Sequence, residues 1–249
     1  MRDEESEDAI KALQKILKVN FSNLENPFAG INPFAQFAES IKYVQKKTPD
    51  SLIELSKYGW YIGYDSLPKT PIELSVKLRD GKEKEVDELL SDYYQTELRN
   101  IEKRLIGLNP GRKALIKEGF NNHHNKYFYS SITLLLTQAD GLCYDRAKKF
   151  YFQNNNKLKR SKIYQPAILG DLVDNNKMFL KEFLAPMDNP TALNEFIQNI
   201  ENFPVRLNRH EIIHGIDVEY GTRLNSLKTI SFLNYLNDVL NDKKGPNNI

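Results

Sequence analysis

The sequence predicts an all-α protein, a helical bundle with an additional helical region at its N-terminal end. Three observations lead there. Apolar residues recur at three- and four-residue spacing through most of the chain. Two stretches, Glu83 to Leu105 and Leu224 to Leu240, carry an apolar stripe many turns long. Glycine, proline and asparagine cluster between the periodic segments, where turns are needed.

The elements follow in order. Ile10, Leu13, Ile16 and Leu17 fall at helical spacing, as do Phe34, Phe37 and Ile41, and Leu52, Ile53 and Leu55 mark a short third segment. Between Tyr58 and Gly81 the turn formers Gly59, Gly63, Pro68 and Pro71 interrupt regular structure, while Tyr58, Trp60, Tyr61 and Tyr64 predict a packed, irregular loop. Val86, Leu89, Leu90, Tyr93, Leu98, Ile101 and Leu105 then predict a long amphipathic helix. Asn109, Pro110 and Gly111 break the chain and set a boundary between an N-terminal helical region, 1–108, and a helical domain, 109–249. Ile116 to Phe120 ends another helical piece. The apolar run from Tyr127 reads as a buried helix stopping near Gly141, with a central strand as the competing reading. Further helices are expected from about Gln165 to Leu184, closed by Pro186 and Pro190, and from Thr191 to Phe203. Leu224, Leu227, Ile230, Leu233, Leu236, Val239 and Leu240 stripe the last one. No internal repeat is present, which disfavours a solenoid.

Composition narrows the function classes. With 40% hydrophobic and 27% charged residues among 249, the chain is not of the disordered type. A single cysteine, Cys143, excludes a disulfide framework and a cysteine-rich zinc module, and points to a reducing, cytoplasmic compartment. The opening MRDEESEDAI is acidic where a signal peptide is basic and then apolar, and no run of 18 apolar residues occurs, so no membrane partner is expected. The net charge of +2 does not by itself call for nucleic acid. Its distribution is uneven: five carboxylates lie within residues 3–8, whereas Arg146, Lys148, Lys149, Lys157, Lys159, Arg160 and Lys162 have no acidic residue among them. Phe150, Tyr151 and Phe152 interleave that basic stretch. Such a stretch suits RNA, cations neutralising phosphates and rings stacking on unpaired bases, so Lys148, Lys149, Lys159 and Arg160 are candidate RNA contacts. The plain alternative is a solvated face.

Chemically capable side chains concentrate in LNRHEIIHGIDVEYGTRLNSLK, which holds two of the four histidines. Asn208, followed three residues later by Glu211, forms a capping-box pattern, so a helix is expected to begin there and to end or kink at Gly215. His210 and His214 then share a face. Arg209 and His214, five residues apart, stand roughly 140° apart around an ideal helix. A symmetric dimer resolves this by lining one groove with both residues from two copies. An imidazole there would exchange protons with a ribose 2′-hydroxyl or leaving oxygen, while a guanidinium binds the phosphate, with no cofactor or metal required. Asn208, Tyr220, Asn225, Ser226 and Lys228 are further candidate substrate contacts, although Asn225 or Ser226 would also serve as the cap of the last helix.

Arg209, four intervening residues and His214, with a polar residue directly after the arginine, resemble the RxxxxH motif of the HEPN (higher eukaryotes and prokaryotes nucleotide-binding) superfamily. The continuation HGIDVEYGTRLNSLKTISFLNYL, with SKYGWYI and LLLTQADG upstream, is similar to bacterial proteins carrying an RHxxxHG block. The resemblance implies an all-helical HEPN-like domain and a metal-independent endoribonuclease of toxin or antiphage systems. It makes Arg209 and His214 catalytic and His210 the accompanying polar residue, in a homodimer that an antitoxin or other regulatory partner could restrain. A non-catalytic HEPN module that binds nucleotide or a partner is the second implied possibility.

The same residues also spell HExxH, in which two histidines hold zinc and the glutamate activates water. No histidine follows His214, the only glutamate downstream is Glu219, and Asp217 and Asp238 are further conceivable third ligands. His123 and His124, in NNHHNKY, read as an exposed loop, and Cys143 as a buried small hydrophobe.

Overall fold

A computed structural model describes residues 33–153, 165–173 and 180–241. Of these, 71% are helical and none form a strand, so the expected all-α bundle is the observed class. The helix expected around Ile10–Leu17, and Lys157, Lys159, Arg160 and Lys162, lie outside the described residues. The chain divides into two units, residues 1–40 and residues 41–249. The first is described only at 33–40, where α1 begins.

Helix α1 (Pro33–Lys57) joins the two segments expected around Phe34–Ile41 and Leu52–Leu55, with Pro49 inside it. Helix α2 (Thr70–Arg79) occupies part of the stretch expected to be irregular. Pro71 stands in its first turn, where the missing N–H would have no partner anyway, so the proline starts this helix rather than breaking one. The loop before it is packed as expected, with Trp60 and Tyr61 buried. Helix α3 (Glu83–Leu108) buries Val86, Leu90, Tyr94, Leu98, Ile101 and Leu105. Leu89 and Tyr93, expected on that stripe, are exposed, because Tyr94 rather than Tyr93 continues the four-residue row from Val86 and Leu90.

The Asn109–Gly111 break is a turn inside the 41–249 unit. It is followed by a 3-10 turn (Pro110–Arg112) and by α4 (Lys113–His124), which packs on α3. The Asn109 amide donates to Leu105 O (2.9 Å) and to Asn237 Oδ1 (2.8 Å), tying the turn to the last helix. Helix α5 (Phe128–Ala147) is the helix, not the strand, read from the apolar run, and it continues six residues past Gly141. That glycine is needed for close approach rather than for termination. A Cβ there would run into the Arg112 guanidinium, which bonds Asp145 (2.7 Å) and Gln138 (3.1 Å) across it.

The stretch expected to be helical from about Gln165 to Leu184 carries α6 (Leu169–Val173) and α7 (Leu180–Phe183), and residues 174–179 between them lie outside the described residues. Thr191–Phe203 is not an α-helix. Asn194 Oδ1 accepts from Thr191 N and Thr191 Oγ1 in a local turn, and only a 3-10 segment (Ile197–Asn202) follows. Side-chain bonds of this kind compete with the helical ladder. The short α8 (Arg209–Ile213) and long α9 (Arg223–Asn241) complete the described chain.

Helix α9 is buried almost all round, from Ser226 through Asn237 and again at Val239 and Leu240, and it packs against α3 and α5. The apolar stripe read from the sequence covers only part of that buried surface. Many polar positions of the helix are instead interior and paired with groups on other elements. Lys228 Nζ meets Asp87 (3.1 Å), Ser231 Oγ receives Tyr61 N–H (3.3 Å), Ser226 faces His123 (2.8 Å), and Asn234 accepts from Arg104. Burial of polar groups is tolerable only with partners of this sort.

Candidate functional site

Helix α8 is one and a half turns long, so its neighbours hold it. Asn208 caps it as the sequence predicts, its Oδ1 accepting the N–H groups of His210 (3.0 Å) and Glu211 (3.1 Å). The same amide donates to Ala192 O (2.8 Å) and Glu195 O (2.9 Å), and Arg209 N–H bonds Leu193 O (3.1 Å). The 191–195 turn is therefore a cradle for the start of α8. Asn208 is wholly buried with its side chain occupied on both sides, so it positions the helix from beneath and does not face a substrate.

The other end closes at Gly215, with φ +70°. Ile216 N–H reaches Glu211 O (2.8 Å) and Gly215 N–H reaches Ile212 O (3.2 Å). This pairing is a Schellman motif, which favours glycine at the left-handed position. Leu207 and Ile212 are buried against the bundle, leaving His210 and His214 exposed.

Their rings lie 4.3 Å apart at 49°, so the structure brings the two imidazoles together. Loss of solvent, then His214, then Arg209 hold the His210 imidazole below its ordinary pKa. Arg209 extends toward α5. Its Nη2 is 3.6 Å from Asp140 Oδ2, and its guanidinium carbon lies 5.2 Å from the centre of the Phe152 ring. Asp140 is in turn fixed by Phe152 N–H (2.9 Å), and burial raises its pKa against the pull of that bond and of Arg209. Within one chain, then, Arg209 turns to Asp140 while His214 turns to His210.

Glu211 does not complete the capping box. It is buried and accepts two bonds from Arg206, at 2.8 and 3.0 Å, a bidentate geometry that consumes both oxygens. A water-activating role for it, as HExxH requires, gains no support from this arrangement. Asp217 Oδ1 takes Glu219 N–H (2.8 Å) and Asp238 lies with Tyr64 and Arg104. Among the described residues, no group of three His, Cys, Asp or Glu side chains is placed to hold a metal ion.

A pocket of about 360 Å³ opens beside Arg209 and His210, walled by Phe152, Leu193, Asn194, Glu195 and Phe196.

Comparison with family models, curated proteins and solved structures finds no match.

The remaining candidates disperse. Tyr220 bonds Thr133 Oγ1 (2.9 Å) and packs edge-on against Tyr129. Asn225 donates to Tyr220 O (3.1 Å), and its own N–H is capped by Thr222 Oγ1 (3.0 Å). Thr222, not Asn225 or Ser226, is the cap of α9. Lys228 is buried over Trp60 and paired with Asp87, away from solvent. In the basic stretch, Lys148 lies over the Tyr144 ring (4.7 Å) in a left-handed C-cap, and Lys149 pairs with Asp171 (2.6 Å). Phe150 is exposed, but Tyr151 is wholly buried against Phe232 and belongs to the core, so it does not stack on a base. His123 is buried at the end of α4 rather than in an exposed loop, and burial, then His124 and Arg223, push its pKa down to about 4. Cys143 is buried as expected, with its thiol pKa raised by burial.

The residues missed from the sequence are Asp140, Arg206 and the 193–196 wall. Asp140 left a signal: a lone carboxylate inside an apolar run needs a cationic partner. Arg206 and Asn194 left none, since their roles depend on how the chain folds back.

Proposed function

We propose that this chain is a metal-independent endoribonuclease of HEPN type, acting as a homodimer. The observation that carries the reading is a doubly anchored short helix that presents two exposed imidazoles 4.3 Å apart, with Arg209 immediately beside them. The RxxxxH likeness supports the same assignment. One imidazole accepts the ribose 2′-hydroxyl proton, O2′ attacks phosphorus, and the P–O5′ bond breaks as the leaving oxygen gains a proton. The products are a 2′,3′-cyclic phosphate and a 5′-hydroxyl. Arg209 binds the phosphate as charge accumulates, exchanging Asp140 for the stronger anion. His210, biased toward its neutral form, is suited to the base, and His214 of either copy to the acid. A role as a cytoplasmic toxin or antiphage effector, with a restraining partner, belongs to the same reading.

Purified full-length protein should cleave single-stranded RNA in the presence of EDTA, with cyclic phosphate ends. Arg209→Ala and His214→Ala should each lose roughly 100-fold or more. Activity that disappears with EDTA and returns with zinc, or that survives both substitutions, overturns the proposal.

One observation favours a second reading. Arg209 already has a carboxylate partner in Asp140, as suits a module that binds nucleotide without cutting. Protein inert on RNA but saturable by nucleotide would decide for it.

A further inference from the structure

A pocket beside Arg209 adjoins the candidate site and is not used by the chemistry proposed there. Its volume, about 360 Å³, lies within the range of roughly 300–1,000 Å³ usual for small-ligand sites. Phe152, Leu193 and Phe196 give it apolar walls, and Arg209 and His210 stand at its edge.

Its walls also carry Asn194, Glu195 and Gln198, and of these Asn194 is only 6% exposed. The Oδ1 of the Asn194 amide is held by Thr191 N (3.1 Å) and Thr191 Oγ1 (2.9 Å), so the turn dictates which way the side chain faces. Its Nδ2 is buried without a hydrogen-bond partner among the described residues. An unmade bond at a buried donor is costly, and the turn prevents the amide from flipping to relieve it. An acceptor supplied by a ligand would satisfy it.

We infer that this pocket is a nucleobase subsite, the base lying against Phe152 and Phe196 with an edge acceptor on Asn194 Nδ2 and its phosphate on Arg209. A base has two apolar faces and an edge of carbonyl oxygens and ring nitrogens, which matches walls of rings around one fixed donor. Neither an aliphatic ligand nor free phosphate calls for both features. The assignment to a base rests on the ribonuclease reading for its ligand class. It adds a specificity-determining element that the RxxxxH residues do not supply.

The test uses full-length His214→Ala protein, because His214 does not line the pocket and its loss blocks cleavage on the ribonuclease reading. The nucleoside 3′-monophosphates of adenine, guanine, cytosine and uracil, and inorganic phosphate, are titrated calorimetrically. At least one nucleotide should bind one per chain, at least tenfold tighter than phosphate. Asn194→Asp keeps the Oδ1 acceptor for Thr191 and replaces the donor, and Phe196→Ala removes an exposed ring without touching the core. Each should weaken that nucleotide at least tenfold, with circular dichroism confirming the fold. Absence of nucleotide binding, equal binding of phosphate, or indifference to both substitutions overturns the subsite. RNA cleavage that depends on Arg209 alongside such indifference would sink the subsite alone, whereas nucleotide binding with the expected pattern but no cleavage would sink the ribonuclease reading alone.

Discussion

At His210 the order of causes sets the chemistry. Reduced solvation and the neighbouring His214 and Arg209 all disfavour the charged ring, outweighing the attraction of Glu211. The neutral imidazole is therefore the main form at pH 7, able to accept a proton. NMR titration of the ring C–H should place the His210 pKa below 6.5, and Arg209→Gln should raise it. A value unchanged or lowered by that substitution would separate Arg209 from His210 electrostatically and weaken the shared site. Arg209, His210 and His214 were legible as a group because they are adjacent in sequence and begin a capped helix. Their partners were not. Glu211 fits a capping box by spacing alone, and only the folded path of residues 204–208 brings Arg206 to it first.

Helix α8 is too short to be stable on its own propensity, since nucleation consumes most of what one or two turns return. Its order comes from its ends. Replacing Asn208 with Ala removes the cap, worth about 1 kcal/mol, and leaves Ala192 O and Glu195 O without donors, so the total loss should be about 2–3 kcal/mol. Asn208→Asp keeps the cap but turns a buried carboxylate oxygen toward the two carbonyls, and should cost at least as much as Ala. Gly215→Ala forces a Cβ into a left-handed conformation at about 1 kcal/mol and disturbs the turn that carries His214. Urea denaturation measures all three, and an Asn208→Ala loss under 0.5 kcal/mol would contradict the anchoring described. The cap and the glycine stop were both readable, because they are local. The 191–203 segment was misread for the opposite reason: its helical composition is overridden by the Asn194 turn, which exists to receive Asn208.

Across the whole molecule, His123 and the largely buried Asp238 of α9 give opposing pH dependences. His123, packed against Ser226, has its pKa lowered to about 4. The unfolded chain takes up that proton below about 6.5 while the native state does not, so stability is lost as pH falls from 6.5 toward 4. Asp238, with its pKa raised to about 6 chiefly by burial, behaves in reverse. The native state keeps its proton between about 4 and 6 while the unfolded chain releases it, so stability is lost as pH rises. Each contribution amounts to ~3 kcal/mol over its window, and between pH 4 and 6 they largely cancel. His123→Asn should unmask a decline in stability with rising pH, and Asp238→Asn a gain. Urea midpoints from pH 4 to 7 check both, and variants with the wild-type slope would show that neither group titrates as its surroundings require. Among the described residues, no helix is long and apolar enough to cross a membrane.

Local sequence by itself determined the helical class and the extents of α3 and α9 to within a few residues, through periodicity, and the start and stop of α8, through its cap residue and glycine. These depend on contacts between residues a turn apart, and such contacts are written in the local sequence. Tertiary structure alone decided that many polar positions of α9 are interior, that Tyr151 and His123 are interior, that Arg209 turns to Asp140, and that Asn194 stands with a spare donor in a pocket wall. Each of these depends on a partner dozens of residues away, or on a fold-back that no spacing rule encodes. A polar side chain reads the same in sequence whether water or a buried carboxylate receives it.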